Sequence, residues 1–138
     1  MNRSKFIRRM LDEFPEVKPL LKGHRIGIHQ EMTVFRQYTQ DAIERRDRKL
    51  VCRAFQFIAA CTEQADEYVR AAIGSSYCEE LDLSGAQRRW VLTEMPSALR
   101  QVWFDINVFL EDRLGYSQVD RGFDREREEQ LAARRRSG

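Results

Sequence analysis

The stretch that most restricts this chain is Asp66–Leu83, DEYVRAAIGSSYCEELDL. It reads as one helix. At 3.6 residues per turn, Tyr68, Val69, Ala72, Ile73 and Ser76 fall along one side. Tyr77, Cys78 and Leu81 carry the apolar surface round to another. A helix apolar over most of its circumference belongs at the centre of a fold. Ala71, Ala72, Gly74, Ser75 and Ser76 are small, so neighbouring helices can approach closely there. The stretch dictates a scaffold and names no chemistry.

The rest of the chain supplies helices to wrap it. With 7 Gly and 3 Pro in 138 residues, short connections between helices fit better than the many turns of a β-sandwich. The length suits one domain with a real core. Ser4 is placed to cap a first helix whose stripe is Phe6, Ile7, Met10, Leu11 and Phe14. Pro15 ends it or opens a second short segment, Pro15–Lys22, expected to bury Val17, Leu20 and Leu21. Gly23–Gly27 reads as a loop. Ile28–Arg46 is amphipathic through Ile28, Met32, Phe35, Tyr38, Thr39, Ala42 and Ile43.

Asp47 is a capping residue for a helix over Arg48–Thr62, with Leu50, Val51, Ala54, Phe55, Phe57, Ile58 and Cys61 inward. Asp66 caps the central helix. Leu83-Ser84-Gly85 reads as a turn, with Ser84 placed to cap a short helix through Trp90, Val91 and Leu92. Pro96 restarts the chain into Ser97–Leu114, with Leu99, Val102, Trp103, Ile106, Phe109, Leu110 and Leu114 on its core face and Gly115 as the stop. The expected fold class is all-α: a single-domain bundle of about six helices in antiparallel hairpins over residues 1–115. From 116 to 138 the chain becomes a charged tail, partly helical or disordered, with six arginines and five acidic residues after 119.

Several function classes lose support. The formal charge of +2 gives no global argument for polyanion binding. His24 and His29 are the only histidines and share no helical face, and no HExxH is present, so no metal site or other cofactor is expected. Nucleophile-elbow, phosphate-loop and dinucleotide signatures are missing. Gly74-Ser75-Ser76 lies inside a helix and lacks the free N–H groups that cradle phosphate. Cys52, Cys61 and Cys78 are an odd set, better read as thiols in a reducing compartment than as a disulfide framework. No apolar run approaches a membrane span or a signal peptide, so the cytoplasm is the expected location.

Three features invite a functional reading. On a straight central helix Glu80 falls near the Val69/Ile73 side, where an unpaired carboxylate would be costly; it is a candidate buried carboxylate, with Glu79 beside it. Phe104 and Val108 lie four apart on the last helix, opposite its main core face, and form a candidate partner surface. Arg134-Arg135-Arg136 is a small basic cluster whose field is weakened by the acidic run before it.

The run VRAAIGSSYCEEL, preceded by RAFQFIAACTEQADE, resembles a family of small bacterial all-helical proteins of uncharacterised function. The family helix has the form V-R-N-A-x-x-V-S-F-L-E-x-L. Val69, Arg70, Ala72, Ser76, Glu79 and Leu81 match it, and Tyr77 stands at its aromatic position. Ala71, Ser75 and Cys78 depart from it. EFPEVKPLL, Glu13–Leu21, is similar to the family's opening. The resemblance covers roughly Ser4–Leu114 and implies an all-helical bundle. By analogy of fold, some proteins of this kind resemble immunity proteins that bind and block a bacterial toxin. The sequence therefore leads to a non-catalytic protein-binding module, with a toxin or a second copy as partner. Nucleic-acid regulation through the arginine-rich tail is the competing class. An enzyme built on Glu79 or Glu80 comes third.

Overall fold

A computed structural model describes residues 1–22, 27–114 and 134, with 108–114 as backbone only. Its elements are α1 (Arg3–Glu13), a 3-10 segment (Pro15–Leu21), α2 (Ile28–Glu44), α3 (Arg48–Gln64), α4 (Glu67–Ala72) running directly into a π-helix (Ile73–Cys78), a 3-10 turn (Ala86–Arg88), α5 (Val91–Glu94) and α6 (Ser97–Leu114). The protein is an all-α, single-domain bundle, with no strand among the described residues. Gly115, the loop from Gly23 to Ile26 and nearly all of the expected tail lie outside the described residues.

Local chemistry sets the helix starts. Asp47 Oδ1 accepts from Leu50 N at 3.2 Å and Asp66 Oδ1 from Val69 N at 2.9 Å, so both expected caps form. At α1 the cap is Asn2 rather than Ser4: its Oδ1 takes the Lys5 N–H at 2.9 Å. Ser84 caps no helix, because α5 begins seven residues later at Val91. Its N–H and hydroxyl both turn back to Asp82 Oδ1, at 3.0 and 2.6 Å.

The core is aromatic at one end. Phe14 meets Phe35, Phe57 and Tyr38 with ring centroids 5.1–5.9 Å apart, and Phe6 and Tyr77 extend the cluster. Each such ring is worth about 1.5–3 kcal/mol of apolar burial. The central segment is packed by α2 and α6 along its π portion and by α1 and α2 near its start. A Cβ added at Gly74 would meet Ile106 Cδ1 of α6 at 3.5 Å, an ordinary van der Waals distance, so α6 packs beside this position without requiring a glycine there.

The central segment is not one regular helix. The Glu79 N–H reaches Gly74 O at 3.0 Å, a five-residue span, and the coil ends there. A π turn holds one residue more than an α turn and shifts every later side chain back round the axis. The buried positions thus run Val69, Ala72, Ile73, Tyr77, Cys78 and Leu81, where a 3.6-residue period puts Ser76 and Glu80. Tyr68, at 69% exposure, is on the solvent side of that seam and not in the core.

Candidate functional site

The expected site residues are not brought together. Glu80 is exposed, not buried, because the π turn gives its inward place to Leu81. Glu79 is half-buried. Phe104 is 2% exposed and packs edge-on against Trp103 with centroids 5.2 Å apart, so it serves the core and offers no partner surface. The reason is rotation: α6 buries the seam Leu99, Trp103, Phe104 and Asn107, leaving Val102 and Ile106 half-buried at its edge. The side chain of Val108, like His24, lies outside the described residues. Of the terminal arginines only Arg134 is described; its guanidinium donates to Asp105 O at 3.2 Å.

The structure brings His29 of α2 against Ser76 of the π turn. His29 Nδ1 lies 2.8 Å from Ser76 Oγ and 3.4 Å from Ser75 Oγ. Ser75 Oγ also donates to Ala71 O at 2.9 Å. A hydroxyl beside an imidazole is half of a nucleophile pair. A working pair also needs a group to orient the ring and donors for an oxyanion. No carboxylate bonds the ring among the described residues, and no cluster there could hold a metal ion. Cys61 and Cys78 are buried, and burial pushes both thiols up to about 12. They carry no thiolate to act as a nucleophile.

The feature that periodicity missed is on the 3-10 segment. Val17 is fully buried as expected, but Leu20 is 47% exposed. A 3-10 segment has three residues per turn, so Val17 and Leu20 would share a face if it ran straight. Pro19, which has no N–H, lies inside it, and Leu20 turns outward. Leu20 joins Thr33, Val34, Arg36, Gln37, Tyr38 and Asp41 of α2 around a cleft of about 300 Å³. Val34 and Tyr38 continue its apolar floor. Lys18 and Lys22 are exposed and line a separate pocket with Pro15, Pro19 and Leu21. Glu16 is occupied by the Tyr38 hydroxyl, and Asp41 accepts from Gln37 Nε2 at 2.9 Å. Arg36 Nε is shielded from water without an acceptor among the described residues. The cleft thus pairs an apolar floor with one cation, Arg36, and one carboxylate, Asp41, that is already hydrogen-bonded.

A family model described as Domain of unknown function (DUF7674) matches residues 7–111. The chain belongs to the DUF7674 family. The match takes in the later part of α1, the 3-10 segment, α2 and most of α6, so the cleft lies wholly inside the family domain. No curated protein and no solved structure matches significantly. No helix among the described residues is long and apolar enough to cross a membrane.

Proposed function

We propose that this DUF7674 chain is a non-catalytic protein-binding module whose partner inserts an apolar side chain beside Leu20. The supporting observation is that large side chain, half exposed at the mouth of an apolar-floored cleft. A concave apolar site with a few polar groups at its edge suits one anchoring residue of a partner. Arg36, which lines the cleft, favours an acidic flank on that anchor. The finer reading is an immunity protein of the bacterial cytoplasm that blocks a toxin by occlusion. The three unpaired cysteines fit a reducing compartment.

The test is co-expression with the product of a neighbouring toxin reading frame, followed by calorimetry on the purified pair. The full chain is expected to bind and neutralise it. Leu20→Ser is expected to weaken binding by at least about 10-fold, as anchor residues do, without lowering Tm. Equal binding by both forms, or none by either, would overturn the reading.

A further inference from the structure

Four cations crowd the turn between α2 and α3. Arg45, Arg46, Arg48 and Lys49 occupy four of five consecutive positions, and all are exposed. The acidic residues of that turn are already engaged. Glu44 holds Arg88 at 2.8 Å, and Asp47 caps α3. Arg48 lies over the Trp90 ring, 5.0 Å from its centroid, and reaches Glu94 at 3.4 Å. The side chains of Arg45, Arg46 and Lys49 make no hydrogen bond or ion pair among the described residues.

Arg46 is what separates this turn from an ordinary solvated bend. Its φ is 56°, in the left-handed region. The Asp47 N–H bonds Ala42 O at 2.9 Å and the Arg46 N–H bonds Ile43 O at 3.0 Å. That double closure ends a helix through one left-handed residue, a place where glycine is unstrained. An arginine there strains the backbone, and no hydrogen bond or ion pair of its side chain within the described residues offsets the strain.

We infer that Arg45, Arg46 and Lys49 are a recognition site for a run of carboxylates on a protein partner. The inference rests on the protein-binding reading and names the chemistry of the partner's second contact. Continuity favours it. Asp41 closes the cleft one helical turn before Arg45, and the Arg45 charge is felt at Tyr38 in the cleft floor. A single segment with an apolar anchor and an acidic flank spans both. Nucleic acid fits less well. Three cations on one turn release few counterions, and the nearby Trp90 ring is covered by Arg48 instead of being open for base stacking.

The test titrates the ¹⁵N-labelled full chain, at low salt, with an octaglutamate peptide and separately with an eight-thymidine oligonucleotide. With octaglutamate, amide shifts are expected to concentrate at residues 44–50. Arg46→Gly should weaken that binding about 3-fold, and the triple change Arg45→Ala, Arg46→Gly, Lys49→Ala at least about 10-fold. The Tm of Arg46→Gly should be unchanged or raised by up to about 3 °C. Shifts spread over every basic surface, undiminished binding by the triple variant, or tighter binding of the oligonucleotide at the turn would each overturn the assignment. A lowered Tm for Arg46→Gly would do so too, by showing that the arginine serves the fold. Leu20→Ser should leave octaglutamate binding unchanged. Failure at the turn and failure at the cleft are therefore read separately.

Discussion

The side-chain amide of Gln40 grips the backbone of Asp82 with both of its atoms. Gln40 Nε2 donates to Asp82 O at 3.0 Å, and Gln40 Oε1 accepts from Asp82 N at 2.9 Å. The pair mimics one rung of a β-ladder and ties α2 to the irregular chain leaving the π turn. Around it Arg88 bonds Glu44 at 2.8 Å and Ser84 O at 2.7 Å. Gln40 is 8% exposed, so its loss leaves two backbone groups short of partners in a place water reaches poorly. Gln40→Ala is expected to cost about 1–3 kcal/mol. Urea unfolding would measure it, and hydrogen exchange at the Asp82 amide should quicken by more than the global loss explains.

A second polar link crosses the core. The Tyr77 hydroxyl donates to Thr39 Oγ1 at 2.9 Å, and Thr39 donates on to Phe35 O at 2.9 Å. All three residues are fully buried. Tyr77→Phe removes only the first donor and should cost about 1 kcal/mol. Thr39→Val removes the acceptor and should strand the Tyr77 hydroxyl, which costs more. The two changes together should cost less than their sum, so a double-mutant cycle would return a coupling of about 0.5–1.5 kcal/mol.

The Glu16–Tyr38 bond makes a prediction about pH. The hydroxyl donated by Tyr38 holds the Glu16 carboxyl below its ordinary 4.5. Burial first, then Glu16, pushes the Tyr38 phenol well above its ordinary 10.0. A lowered acid stabilises the fold above its unfolded value and loses that contribution as pH falls through the folded one. A phenol kept neutral stabilises below its unfolded value and loses that contribution as pH rises further. This pair therefore supports the fold fully between about pH 5 and 10 and fades on both sides. Tyr38→Phe should shallow both the acid and the alkaline fall in Tm, the buried Tyr77 phenol keeping part of the latter. Thermal melts of both proteins from pH 3 to 11 would show it.

How far the sequence foretold this molecule depended on whether a rule needed a regular period. Asp47 and Asp66 were recognisable as caps because capping depends on one side chain and its neighbours. Pro96 placed the start of α6, and Ser97–Leu114 emerged with the expected bounds. Glu80 falls elsewhere than a 3.6-residue count puts it because that count cannot foresee the π turn before it, whereas Tyr68, in the regular turn ahead of it, is at the edge of the buried seam. Leu20 was assigned inward by its type. Its outward turn follows from a proline-bearing 3-10 segment that residue type alone does not reveal. The His29–Ser76 contact joins residues 47 positions apart, and no local pattern reports such a pairing.

The three thiols should separate cleanly by reactivity. Cys61 and Cys78 are buried and their thiols are pushed up to about 12. Cys52 is half-buried, and its sulfur accepts from Gln56 Nε2 at 3.4 Å. Under native conditions a disulfide reagent should modify Cys52 alone, and the other two should react only as the protein unfolds. Rapid modification of all three at pH 7 would contradict the burial of the central segment.

The π turn itself can be tested by removing one residue. Ser75 is exposed and sits inside the six-residue π stretch Ile73–Cys78. Deleting it would move Tyr77, Cys78 and Leu81 one position back along the chain. Counted from Val69, the inward set would then fall at spacings of 3, 4, 7, 8 and 11, which a regular α-helix places on one side. The core would keep its residues while the five-residue bond reverted to four. The deletion should therefore leave a folded, cooperative protein within about 2 kcal/mol of the parent, since only a local ladder and the polar contacts at His29 change. Deleting Gln56, equally exposed but within regular α3, is the control. There Phe57, Ile58 and Cys61 would rotate about 100° away from the core, and the chain should fail to fold. Comparable stability of the two deletions, measured by urea unfolding, would show that the π turn absorbs no extra residue.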